Sequence, residues 1–173
     1  AETQGKAPDG TTTLFSKYSP MGNIPAQSFT FTPAADLAAG GYISIRFFVK
    51  APTTLTVNIK TVQLLDVTLD DSFAGYWNFK GFAEGDYKGD NVVKEYASND
   101  GKVIMGINNA WWQQWKTFNI KDSKMTFTSK KYPSGYHQFV LSLRLDTDLK
   151  AGIQYRLDTD MAMGQITGAN SPK

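Results

Sequence analysis

Apolar and polar residues alternate with period two along much of this chain. Ser28-Phe29-Thr30-Phe31-Thr32 places both phenylalanines on one face of a strand. Tyr42–Val49 is rich in aromatic and β-branched residues, and Thr54–Ile59 sets Leu55, Val57 and Ile59 on one side. Val62–Leu69 follows almost at once. Further strands are predicted over Tyr76–Phe82, Lys102–Ile107, Trp112–Ile120, Met125–Thr128, Gln138–Leu145 and Ile153–Met161. About ten short strands separated by turn residues predict an all-β, single-domain antiparallel β-sandwich of jelly-roll or Greek-key type. Helical signals are confined to single turns at Pro33–Ala39 and Val92–Ala97.

The ends differ from the middle. The first residues are polar and broken by the turn signals Ala7-Pro8-Asp9-Gly10 and Ser19-Pro20-Met21-Gly22, with a strand of ordinary length fitting only at Thr11–Phe15. The pattern thus divides into an extended N-terminal arm over 1–27, a β-sandwich domain over 28–167 and a tail over 168–173. A polar arm, when ordered, is held by its own domain, a neighbouring copy or a partner subunit. Ala1 is read as following either signal-peptide cleavage or removal of the initiator methionine.

One phrase occurs twice. Asp36-Leu37-Ala38-Ala39-Gly40-Gly41-Tyr42 echoes Asp148-Leu149-Lys150-Ala151-Gly152-Ile153-Gln154-Tyr155. Each copy follows an alternating strand, places a leucine under the sheet, turns on glycine and leads into another strand. Two such copies near opposite ends suit a jelly-roll or Greek-key sandwich, and are too few for a solenoid.

Composition removes several function classes. The 173 residues contain no cysteine and one histidine, His137. Disulfide frameworks, thiolate zinc sites, cysteine nucleophiles and multi-histidine metal sites are therefore excluded. A formal charge of +2 is too small to imply nucleic acid. No apolar run approaches the roughly 20 residues of a membrane-spanning helix. The three glutamates are Glu2, Glu84 and Glu95, so a glycosidase pair would need Glu84 or Glu95 with Asp86 or Asp90, in a polar connection that implies no cleft. His137 lacks a nucleophile-elbow pattern, and no phosphate loop or dinucleotide fingerprint is present. The chain is expected not to be an enzyme and to need no cofactor, a structural Ca²⁺ being the one ion considered.

The most unusual phrase is Trp111-Trp112-Gln113-Gln114-Trp115. In a strand, Trp111, Gln113 and Trp115 share one face. The opposite face continues into Phe118 and Ile120 and is taken as the core side. The outer tryptophans would stand about 14 Å apart with an amide between them. Such a platform can stack on sugar rings or anchor a subunit interface. In the second aromatic strand, Trp77 and Phe79 share one face while Tyr76 and Phe82 share the other, so core packing and a covered outer face are both implied. Asp86, Asp90, Asp158 and Asp160 are the oxygen ligands a Ca²⁺ ion could use, although solvated charge is the favoured reading, for the last two beside Arg144 and Arg156.

The stretch Phe139-Val140-Leu141-Ser142-Leu143-Arg144-Leu145 through Asp148-Leu149-Lys150-Ala151-Gly152-Ile153-Gln154-Tyr155-Arg156-Leu157 resembles the closing strands of jelly-roll carbohydrate-binding modules. The likeness covers about a fifth of the chain and carries over no binding residues. It implies a jelly roll, with polysaccharide as a partner class. Two functions are expected from these observations. The first is a non-catalytic structural subunit (coat, decoration or fibre) on an extracellular or virion surface. It would be held to copies of itself or another subunit through strand or arm exchange and aromatic interfaces. The alternative is a carbohydrate-binding or lectin-like protein using the Trp/Gln platform.

Overall fold

The structure, a computed structural model, describes residues 2–18, 26–50, 54–88, 95–106, 116–129 and 136–166. They form the expected all-β sandwich of two antiparallel sheets. The first sheet runs β2 (Thr13–Tyr18), β1 (Glu2–Lys6), β4 (Tyr42–Lys50), β12 (Tyr136–Arg144), β9 (Val103–Gly106), β8 (Glu95–Ala97). The second runs β3 (Gln27–Phe31), β13 (Tyr155–Ile166), β5 (Thr54–Asp66), β11 (Lys124–Ser129), β10 (Lys116–Lys121), β7 (Gly85–Tyr87), with β6 (Ser72–Asn78) also on β5. Early strands lie against late ones, β4 on β12 and β5 on β13.

The inward residues of both sheets fuse into one core. Phe139 stacks on Phe127 at 4.2 Å and on Phe47 at 4.5 Å, with Phe118 edge-on at 5.8 Å. These four rings are fully buried. Each such side chain contributes about 1.5–3 kcal/mol by leaving water.

Three elements depart from the pattern. Residues 2–18 form a hairpin on the edge of the first sheet, where β1 pairs with β4. Residues 2–18 of the expected arm thus pair within this chain. The two strands expected at 54–59 and 62–69 are one, because a bulge corrects the phase. Asp160 pairs with Thr61 and Met161 with Ile59, leaving Lys60 as the extra residue. Ile59 and Val62 can then both face the core. Beyond Asp66 the chain leaves the sheet in a 3-10 turn, Val67–Leu69, whose Thr68 and Leu69 amides donate to the Asp66 carboxylate. Neither predicted helical turn forms in the described residues: 33–39 is a loop and 95–97 is β8.

The sequence echo is a structural repeat. A shift of 112 residues carries Leu37 onto Leu149, and the strand pairings carry over with it. Phe31, Phe29 and Gln27 face Tyr155, Leu157 and Thr159 in the second sheet. Their equivalents Leu143, Leu141 and Phe139 face Ile43, Ile45 and Phe47 in the first. The repeat therefore exchanges the two sheets. The two loops bind each other reciprocally. Leu37 N–H donates to the Leu149 carbonyl at 2.8 Å, and Leu149 N–H to that of Leu37 at 2.8 Å. Ala39 N–H donates to the Asp148 carboxylate and Ala151 N–H to that of Asp36, both at 2.8 Å. Gly40 and Gly152 take matching φ values of +87° and +76°, a conformation costly for other residues. The symmetry fails at one layer. Where the first sheet stacks Phe47 on Phe139, the second has Thr159 and Gln27, and the buried side-chain carboxamide of Gln27 has no hydrogen-bond partner among the described residues.

Candidate functional site

On β6 the side chains sort by register. Trp77 pairs with Val62 and points into the core, 3% exposed, its Nε1 donating to the Arg144 carbonyl at 2.9 Å. Tyr76 pairs with Gln63 and points outward, 46% exposed. Phe73 pairs with Leu65 on the same outer face and is 72% exposed, and Leu69 in the preceding turn is 65% exposed. Ala74 is the bulged residue between Phe73 and Gly75. Gly75 leaves room for the indole: a Cβ there would stand 2.3 Å from Trp77 Cη2. The strand ends at Asn78, whose carboxamide oxygen accepts the Lys80 amide. A tight turn then returns Phe79 and Phe82 to the core.

Cross-strand pairing extends this face. One row is Tyr76, Gln63, Asp158, Ser28; the next is Phe73, Leu65, Arg156, Thr30. Arg156 is clamped between two carboxylates. Its Nε donates to Asp158 at 2.9 and 3.1 Å, and its terminal nitrogens to Asp71 at 3.2 and 3.4 Å. Ser28 Oγ donates to Asp158 at 2.7 Å. Burial pushes the Asp158 carboxyl up, but the bonds from Arg156 and Ser28 outweigh it and hold the carboxyl below its usual range. The hydrogen bonds that Arg156 donates to Asp158 and Asp71 raise Arg156 in turn. The result is a fixed guanidinium beside exposed aromatic surface.

A polar pocket of about 160 Å³ lies along the other side of β6, against the β8–β9 turn. Tyr76 stands at both features. The pocket lining includes Asn78, Gly81, Ser98, Asp100 and Lys102. Asp100 accepts the Lys102 amide at 3.0 Å and the Ser98 hydroxyl at 2.7 Å, which lower its carboxyl in that order. Lys102 Nζ is 3.0 Å from Asp146.

The sequence candidates scatter. Tyr76, Asp158 and Asp160 share the outer face of the second sheet, whereas Trp77 is core. Asp86 lies on β7 and accepts from Asn119 Nδ2 at 2.8 Å. Trp111, Gln113, Trp115 and Asp90 lie outside the described residues. Among the described residues no group of three or more His, Cys, Asp or Glu is placed to hold a metal ion. No helix of these residues is long and apolar enough to cross a membrane. The alternation pattern does not mark Phe73, Leu69 or Arg156 as site residues. Phe73 directly follows the polar turn Asp70-Asp71-Ser72, and that position was its only signal. No protein-family model matches the chain, and no curated protein matches it.

The lowered carboxyls make a pH prediction. Asp9 falls from 3.8 to about 2, chiefly through the Thr12 hydroxyl, then the amides of Thr12 and Thr11. Asp100, Asp148 and Asp158 are also lowered. Carboxyls depressed in the folded state stabilise it above their unfolded value of 3.8, and lose that contribution as pH falls through their folded values. The melting temperature should therefore show little change from these groups above about pH 5 and decline from about pH 4 to 2. A series of thermal melts checks this, and Asp9→Asn should make the acid limb shallower.

Proposed function

We propose that this chain is a non-catalytic structural subunit of a protein assembly, of coat, decoration or fibre type, on an extracellular or virion surface. One observation carries the reading. Phe73 and Tyr76, two large exposed hydrophobics of the described residues, are neighbours on one sheet face whose next row holds a clamped arginine, and Leu69 is exposed in the turn that leads into β6. Tyrosine and arginine are enriched among the residues that anchor protein interfaces. The clamp also holds Arg156 in place before any partner arrives, which lowers the entropy lost on docking. Of the two expected modes of association, the aromatic face is the supported one, since residues 2–18 pair within their own sheet.

The test is the native mass by light scattering. Wild type should form particles well above 19.1 kDa. Phe73→Asp should return them to monomer, with an unchanged circular dichroism spectrum, because an exposed position tolerates the charge. A monomeric wild type, or particles indifferent to Phe73→Asp, would sink the proposal. The second reading, a saccharide-binding module, is supported by the polar pocket beside Tyr76.

A further inference from the structure

The pocket between β6 and the β8–β9 turn has a defined chemistry. Its lining includes the exposed Tyr76. One Asp100 oxygen is used by Ser98 and Lys102, which leaves the other to accept. Asn78 uses its carboxamide oxygen on Lys80, so its amino group remains oriented to donate. Gly81 brings bare backbone to the pocket, and a Cβ there would stand 3.0 Å from that of Ser98.

Other ligand classes fit poorly. Asp100 is the lone carboxylate of the lining, too few for a hard cation. An anion would face that carboxylate, while Lys102 is already paired with Asp146. An apolar ligand would desolvate donors and acceptors without replacing their bonds. The volume is that of about five waters, too small for a nucleotide. What remains is a compact ring bearing several hydroxyls, each able both to donate and to accept.

We propose that this pocket binds one saccharide residue. A ring hydroxyl donates to Asp100, another accepts from Asn78, and an apolar C–H face lies against Tyr76. The inference rests on the saccharide-binding reading; Phe73 does not line the pocket, whereas Tyr76 belongs to both surfaces.

The full-length chain carrying Phe73→Asp, which leaves every pocket residue in place and gives a monomer where wild type assembles, is labelled with ¹⁵N and titrated with glucose, galactose, mannose, N-acetylglucosamine and their β-linked oligomers. Inorganic phosphate is run in parallel. At least one sugar should shift the amides of residues 76–81 and 98–103, with oligomers binding more tightly than the monomer. Asp100→Asn keeps the oxygen that holds the turn, but weakens the charge-assisted bond. It should reduce affinity about tenfold. Tyr76→Ala should reduce it roughly three- to tenfold. Both variants should melt close to wild type. Sugar-induced shifts elsewhere would overturn the pocket assignment while leaving the saccharide reading standing. No shift with any sugar would overturn both, and saturable shifts with phosphate alone would make this an anion site.

Discussion

Trp77→Ala is expected to lower stability by about 3–5 kcal/mol, because it empties a large volume that the surrounding strands cannot refill. The indole is buried over β6 and β5, and its Nε1 bonds the Arg144 carbonyl at the end of β12. That single side chain therefore ties the two sheets together at β6. At roughly 2–4 °C per kcal/mol for a chain of this length, melting should fall by about 10 °C. Gly75 supplies the control. A Cβ at Gly75 would stand 2.3 Å from Trp77 Cη2, so Gly75→Ala should be strongly destabilising alone and close to harmless in the Trp77→Ala background. A thermal-melt double-mutant cycle measures the coupling. Additive effects would show that Gly75 is not there to seat the indole.

The same residue shows how far the sequence could be read. Alternation over Tyr76-Trp77-Asn78-Phe79 correctly separates Tyr76 from Trp77, since strand register depends only on parity. It cannot place Phe82, because the strand stops at Asn78 and a turn, not parity, brings Phe82 inward. The hairpin β1–β2 was unreadable for another reason. In Glu2-Thr3-Gln4-Gly5-Lys6 the inward positions are Thr3 and Gly5, so no apolar alternation marks the strand. Phe15 supplies the missing bulk by lying over Gly5 and stacking on Phe29 at 4.5 Å. The surface around Phe73 depends on which strand lies beyond β5, and the long-range pairing of β5 with β13 settles that. Local pattern holds no information about it. The tryptophans of 111–115 were the strongest local signal. They lie outside the described residues, between β9 and β10.

Leu149→Ala is expected to cost about 3 kcal/mol and Leu37→Ala about half as much, although the repeat makes the two residues equivalent. Their backbones exchange identical hydrogen bonds, which neither substitution removes. The difference lies in burial. Leu149 is fully enclosed, whereas Leu37 is partly open to solvent and packs against the core from its rim. A cavity under Leu149 has no solvent to relax into, while the Leu37 site borders the hollow between the β1–β2 turn and the β3–β4 loop. The double variant should destabilise by less than the sum, since the first truncation loosens the loop pair that the second would disturb. Equal costs for the two leucines would mean that the reciprocal backbone pairing, not side-chain burial, sets the strength of this junction. The junction itself should then respond instead to Asp36→Ala and Asp148→Ala, which remove the two carboxylates that bind Ala151 and Ala39 across it.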